Sequence, residues 1–414
     1  MNTEQTKAKK RIAFVHDVFP GVGGGGAERI TFDLANYLSR QGYEVFVWAY
    51  KHNTGSYPAR LPVNFRVICL PDPDVYRSQR NACFMADLVR QLHLDVLVSV
   101  VNPLIRIREI LPEGSSCRYV MANHGKPFWE MTGKIDRRRH HRYRTLLGKW
   151  IWWIYDCPRI YGFKVYERRF LRRYRQAYEQ ADAYVVLCEG YRRELCDRLH
   201  LNPANARIWA IPNSERQAEG DMAGRTKRKQ VLYVGRMSYD DKRVDRLIRI
   251  WSRVWRRMPD WELILLGDGR ERSDLEALAA RLQAGHLRFE GTTTHVETYY
   301  REAAILCLTS TREGWGLCLT EAQAHGVVPV AFDCSSGVHE ILAPSGVNGI
   351  LVSPFDEDAY AAELLGLMRD EERRRVMQRN VVEKSRTYTI ESVGEAWLNM
   401  LDTIANRAGA SAPQ

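Results

Sequence analysis

No run of 18 consecutive apolar residues occurs in this 414-residue sequence, so no segment reads as a membrane-spanning helix. Met1 to Lys10 is polar and lacks the apolar block of a secretory leader; the expectation is a protein made and kept in the cytoplasm. The nine cysteines are odd in number and stand singly, with no C-x-x-C pair, which argues against both a disulfide framework and a cysteine metal site. Cys69, Cys188 and Cys307 instead sit in apolar runs, where cysteine acts as a small buried hydrophobe. Neither Gly-Lys-Ser/Thr nor H-E-x-x-H is present, which removes P-loop and zincin chemistry. Hydrophobic residues at 45% and charged residues at 27% fit a folded protein of two or three domains and exclude disordered or collagen-like chains.

The net charge is +11, and it is concentrated. Lys134 to Arg175 holds 14 basic and 3 acidic residues, a surplus of 11 that accounts for the whole imbalance. One local surface, rather than a generally basic protein, is implied.

Short β-rich apolar runs alternate with helix-period segments throughout. Expected strands are Ile12–His16, Glu44–Ala49, Phe65–Leu70, Asp95–Val100, Arg118–Ala122, Tyr184–Leu187 and Ile208–Ile211. A second series is Val231–Val234, Leu263–Leu266, Leu287–Phe289, Ile305–Leu308, Val328–Ala331 and Gly349–Val352. Ala27–Arg40, Val244–Met258, Asp274–Gln283 and Thr320–His325 read as helices. This pattern predicts parallel sheets in α/β layers. Asn213 to Gln230 has no Val, Ile, Leu or aromatic residue and interrupts the series. The organisation expected is an N-terminal Rossmann-like domain over 1–213, a linker over 214–230, and a second such domain over 231–388. The segment 389–414 is expected to be a helix returning to the first domain, followed by a tail. Two such domains facing each other would bind ligands at the carboxyl ends of their strands.

Three loops could carry chemistry. Gly21 to Arg29 lies between a strand and a helix, where glycine amides and the helix start suit phosphate. Gly235 to Arg243 places Arg236 and Lys242 where two cations could meet one diphosphate. Ser310 to Ala322 carries Glu313 and Glu321, eight positions apart, around a loop that enters a helix. Carboxylates there can accept from sugar or ribose hydroxyls while the first amides hold phosphate. Each loop has a bland alternative as a turn or solvated surface. Asp72-Pro73-Asp74 resembles a metal-binding tripeptide but reads better as a turn.

Taken together and in order, these elements resemble the retaining glycosyltransferases of family 4, which have the GT-B fold: two Rossmann-like domains facing each other across a cleft. The resemblance rests on Gly25–Arg29 (GGAER), Gly235 to Lys242 (G-R-x5-K), Gly267-Asp268-Gly269, Glu313 to Glu321 (E-x7-E), Pro329 and Asn348–Val352. It implies that Arg236 and Lys242 bind the donor diphosphate and that Glu313 contacts the transferred sugar. Glu321 would hold the ribose, the Gly316 and Leu317 amides the distal phosphate, and Gly25 and Gly26 would close over it. His124, after the Arg118–Ala122 strand, matches the family's acceptor-side histidine. Asn213-Ser214 and Ser335 to Glu340 depart from the family pattern near the cleft. Departure of a nucleoside diphosphate builds negative charge, which two cations and a helix start can meet without metal. No cofactor and no metal site are expected; the donor is a nucleotide sugar.

The segment 134–175 interleaves its cations with Tyr143, Trp150, Trp152, Trp153, Tyr155, Tyr161, Phe163, Tyr166, Phe170 and Tyr174. Interfacial aromatics and clustered Lys/Arg suit an anionic membrane surface, and hence a lipid-linked, lipopolysaccharide or polysaccharide acceptor at the inner face of the cell membrane. A nucleic-acid surface is not expected, because no recognition module accompanies the basic residues. Rival functions are a GT-B epimerase of nucleotide sugars and a non-catalytic membrane or nucleic-acid binder.

Overall fold

The computed structural model describes residues 9–19, 26–53 and 63–410. Every expected strand is present. In the first unit they are β1 (Arg11–Phe19), β2 (Glu44–His52), β3 (Arg66–Cys69), β4 (Val96–Val100), β5 (Arg118–Ala122), β6 (Ala183–Val186) and β7 (Ile208–Ala210). They pair in parallel in the order β3-β2-β1-β4-β5-β6-β7. The second unit has β8 (Arg228–Val234), β9 (Glu262–Leu266), β10 (Leu287–Gly291), β11 (Ala303–Leu308), β12 (Val328–Phe332) and β13 (Ile350–Val352). Its sheet is also parallel, in the order β10-β9-β8-β11-β12-β13. The fully buried central strands β11 and β12 are apolar throughout, and β4 is apolar save for Ser99, whose hydroxyl pairs with that of Tyr119 at 2.6 Å, as expected of parallel strands covered on both faces.

The strand order reverses direction between β1 and β4 in one sheet and between β8 and β11 in the other. Crevices at such reversals, at the carboxyl ends of the strands, are where open α/β sheets bind ligands. Both E-x7-E and G-R-x5-K leave strands at the second reversal.

The helix Val244–Val254 buries Val244, Leu247, Ile248, Trp251 and Val254, the spacing of one helical face. It ends before the expected Met258, because Trp255–Arg257 tightens into a 3-10 turn. Trp251, Trp261, Tyr233 and Tyr360 anchor the core around it.

The units divide at Ile211 and Pro212, and the chain re-enters the first unit at Gly394. The expected linker 214–230 belongs to the second unit and is docked along it. Ser214, Glu215 and Met222 are buried. The Glu215 amide donates to Tyr388 O at 2.6 Å, and Gln378 Nε2 donates to the carbonyls of Met222 and Arg225 at 2.7 and 2.8 Å. Polar side chains hold this segment, so a search for apolar periodicity passes over it. From Gly394 onward the helix Ile390–Ala410 packs in the first unit. A Cβ on Gly394 would lie 2.3 Å from the Tyr37 ring, Trp397 meets Phe14 edge to face, and Asp402 accepts from Lys10 Nζ at 2.8 Å.

Cys188 and Cys307 are buried as expected, but Cys69 is exposed. It ends β3, which among the described residues is the outermost strand of its sheet.

Candidate functional site

The loop after β8 is stitched to the loop after β9. Gly235 N donates to Leu266 O at 3.0 Å, and Met237 N donates to Asp268 O at 2.8 Å. The two glycines of Gly267-Asp268-Gly269 are what allow this approach. A Cβ on Gly267 would sit 1.9 Å from Gly235 O, and one on Gly269 would sit 2.0 Å from Met237 O. Buried Tyr233 adds a hydrogen bond from its hydroxyl to Arg236 O at 2.8 Å.

That scaffold presents Lys242 to the loop after β11. Lys242 Nζ donates to Glu313 Oε1 at 2.6 Å, and the buried Ser310 hydroxyl donates to the same oxygen at 2.6 Å. Thr311 N donates to Asp241 O at 2.7 Å and Thr309 Oγ1 to Arg243 O at 3.0 Å, tying the two loops together. The side chains of Lys242 and Glu313 are only 17% and 9% exposed. Burial pulls the Lys242 pKa down, but the adjacent Glu313 carboxylate, with Cys318 and Asp241, outweighs it and the net shift is upward, so the lysine is a fixed cation. Arg236 behaves differently: its side chain is 78% exposed and pairs with Asp241 Oδ2 at 3.1 Å. The two expected diphosphate ligands therefore have separate partners in this structure.

Gly316, with φ at +89°, caps the helix Leu317–Ala324, whose first residue is Leu317. The left-handed conformation favours glycine at this turn. Gly337, at the start of the helix Ser336–Leu342, supports the loop from behind, since a Cβ there would lie 2.4 Å from Gly314 O. Glu321 stands one turn into the helix and accepts from the Tyr300 hydroxyl at 2.7 Å. Between the glutamates lies Cys318, whose thiol is pushed up to about 12 by burial, against the pull of Lys242 and with help from Glu313 and Glu321. The motif pattern gave no role to Tyr300, Ser310, Tyr233 or Gly337; Tyr300 and Gly337 act through contacts distant in sequence, while Ser310 and Tyr233 bond partners three residues further on.

In the first unit, His124 follows β5 and is half-buried beside Asn123, whose side chain accepts from Gly125 N at 3.0 Å. Gly26 opens the helix Gly26–Arg40, and Gly25 lies outside the described residues. His16 on β1 is buried with Nε2 2.9 Å from Thr31 Oγ1. Burial, with His124 nearby, pushes its imidazole pKa down to about 3, so it is neutral at ordinary pH. Val101, at the end of β4, holds φ at +71°, a strained conformation for a β-branched residue at the strand-order reversal. Asp72-Pro73-Asp74 is a turn: Asp74 N donates to Asp72 Oδ1 at 2.9 Å, and Asn81 bonds the Asp72 backbone on both sides. Among the described residues no group of three or more His, Cys, Asp or Glu side chains could hold a metal ion.

The basic aromatic segment folds as the helix Trp129–Arg142, a short helix Leu146–Ile151 widening into π-type turns at Trp152–Asp156 and Pro158–Gly162, and the helix Val165–Gln180. Asp156, 2% exposed, is clamped by Arg138 Nε at 2.7 Å and Arg142 Nε at 2.8 Å. Leu146, Leu147, Trp150, Trp153, Ile154, Tyr155, Tyr161 and Phe163 are exposed. Trp152, Phe170 and Tyr174 are instead buried, because the helix turns that expose their neighbours point them inward, where Trp152 meets Tyr143 and Tyr174 stacks on Phe128. No described helix is long and apolar enough to cross a membrane.

Comparison with known proteins agrees with this anatomy. The Glycosyltransferase Family 4 model matches residues 24–214, and the model of glycosyl transferases group 1 matches residues 228–370. An uncharacterised glycosyltransferase of Haemophilus influenzae is 25% identical over 91% of this chain and 96% of its own length. The amylovoran biosynthesis glycosyltransferase AmsD of Erwinia amylovora is 28% identical over 42% of this chain and 49% of its own. The crystal structure of Anabaena HepE in complex with UDP and glucose superposes with a TM-score of 0.68, covering 95% of this chain and all of that one at 16% identity, a likeness of fold. With two parallel Rossmann-like sheets of the GT-B type, each matched in turn by its own model, the chain is a glycosyltransferase built of a Glycosyltransferase Family 4 domain followed by a glycosyl transferases group 1 domain.

Proposed function

We propose that the protein transfers a sugar from a nucleoside-diphosphate donor to a lipid-linked, lipopolysaccharide or polysaccharide acceptor at the inner face of the cell membrane, with retention at the anomeric carbon and without a metal. The observation that carries the donor half is the cluster of Lys242, Glu313, Ser310 and the Gly316-capped helix at the β8/β11 strand-order reversal. HepE, of the same fold, was crystallised with UDP and glucose, which supports a nucleotide sugar as donor.

Lys242 and Arg236 would meet the charge growing on the departing diphosphate, and the amides of Gly316 and Leu317 would hold its distal phosphate. Gly26, which opens the helix Gly26–Arg40, and Gly25 before it in sequence would close over that phosphate. Glu313 would receive the transferred sugar, Glu321 the ribose, and His124 the acceptor side. Retention follows the family resemblance. Among the described residues no carboxylate offers itself as a covalent nucleophile, which supports same-face displacement, with the leaving phosphate taking the acceptor proton.

The membrane half rests on the exposed ridge from Leu146 to Phe163 set among cations. It is too short to span and apolar enough to enter the headgroup layer. A lipopolysaccharide acceptor accords with a relative in Escherichia coli named as a lipopolysaccharide 1,6-galactosyltransferase. The test is titration of UDP, GDP and ADP into wild type and Lys242→Ala in the presence of EDTA. Tight binding of one nucleotide that the variant loses is the expected result; binding only on addition of a divalent metal would overturn metal independence.

A further inference from the structure

Tyr300 is buried on the helix Val296–Glu302, and its hydroxyl reaches across to Glu321 Oε2 at 2.7 Å. One ring contact and four hydrogen bonds fix the surroundings of that phenol. His325 stacks on its ring at 5.4 Å with 25° between planes. The same histidine bonds the Glu321 carbonyl through Nδ1 at 2.8 Å. Lys227 Nζ donates to the carbonyls of Tyr300, Arg301 and His325 at 3.0, 3.1 and 2.6 Å, locking the ends of both helices together. Burial, then Glu321, raises the phenol pKa well above its ordinary value, so the hydroxyl keeps its proton and remains a donor.

A glutamate has three side-chain torsions, and a hydrogen bond from a rigid, buried donor selects among them. We infer that Tyr300 is a positioning residue for Glu321, fixing its carboxylate for the donor's ribose. The inference rests on the reading of Glu321 as the ribose ligand. A phenol that merely satisfied its own hydrogen bond would affect stability and leave the discrimination of ribose untouched.

The experiment compares whichever nucleoside diphosphate binds with its 2′,3′-dideoxy counterpart, by calorimetric titration of wild type, Glu321→Ala and Tyr300→Phe. Wild type should prefer the ribose form by about tenfold, the range expected of a charge-assisted hydrogen bond. Glu321→Ala should abolish the preference. Tyr300→Phe should remove most of it while leaving affinity for the dideoxy form unchanged, and Tyr300→p-aminophenylalanine, which retains a donor, should restore it. If Tyr300→Phe does not fold, Tyr300→4-fluorophenylalanine fills the same space without a donor and reads the same ratio. A Tyr300 variant that keeps the wild-type ratio while Glu321→Ala loses it overturns the inference alone. A ratio unchanged in Glu321→Ala, or near one in wild type, overturns the ribose role of Glu321 and the inference with it.

Discussion

Lys242 and Glu313 leave the ends of different strands, and the lysine ammonium donates to the glutamate's Oε1 at 2.6 Å in a largely enclosed setting. Removing one partner strands the other's charge. Lys242→Met is expected to cost about 2–3 kcal/mol of stability, below the range for fully buried pairs because some solvent reaches the lysine. The double variant Lys242→Met, Glu313→Gln should recover most of that stability and none of the nucleotide affinity. Urea denaturation and titration of the same samples separate the two effects; recovery of both would mean the lysine serves only the fold.

Arg236 makes the opposite prediction. Its side chain is mostly exposed, and its partner Asp241 is partly so, which makes this a solvent-screened pair; an Ala substitution should shift stability by under about 0.5 kcal/mol. Nucleotide affinity should nevertheless fall about tenfold or more, and Lys should rescue it poorly because an ammonium cannot grip two phosphate oxygens in a fork. Equal loss of affinity and stability would assign Arg236 to the loop rather than to the ligand.

Most strands were legible in the sequence because the central ones are buried on two faces and read as apolar runs with their own turn signals, while the edge strand β10 reads by alternation. The loops that carry Arg236, Lys242, Glu313 and Glu321 were legible because glycine and charge at strand ends are unusual together. Tyr300 was not, since an aromatic residue on an amphipathic helix reads as core until its hydroxyl is seen to reach Glu321. The docking of segment 214–230 was not legible for a related reason: Gln217, Gln378 and Ser385 hold it through amide and hydroxyl contacts, which leave no periodic mark. Trp152 and Trp153 are adjacent and alike in sequence, yet one is buried and one exposed.

Gly337 backs the loop that carries Glu313. A methyl group there would come within 2.4 Å of Gly314 O, a backbone atom that can yield only if the loop moves. Gly337→Ala is expected to cost about 1–3 kcal/mol, as overpacking does, and to reduce transfer activity more than the stability loss explains. A melting curve read beside turnover at a temperature where the variant is fully folded checks this; wild-type turnover there would show that the loop does not depend on that contact.

His16 gives a pH prediction. Its folded pKa of about 3 lies below the ordinary 6.5, so between those values the unfolded chain holds the extra proton. The stability from burying the neutral ring is therefore complete above pH 6.5 and is lost as pH falls towards 3, by up to about 5 kcal/mol. His16→Phe should flatten that limb of the stability profile relative to wild type. Parallel profiles for the two proteins from pH 7 to pH 4 would show that another group controls the decline.

The exposed ridge is held out by Asp156, which fastens Arg138 and Arg142 beneath it and so fixes the turns that carry Trp150, Trp153 and Ile154. Vesicle binding should then have two separable parts. Replacing Trp150, Trp153 and Ile154 with Ser should lower partitioning at every salt concentration, because buried apolar area is not screened. Replacing Arg168, Arg169, Arg172 and Arg173 with Gln should lower it chiefly at low salt, since each cation contributes about 1 kcal/mol near an anionic surface and the effect fades over a Debye length. Sedimentation with phosphatidylserine-containing and pure phosphatidylcholine vesicles reads both. If both variants bind as wild type does, the ridge is not the membrane contact, and the acceptor need not be lipid-borne.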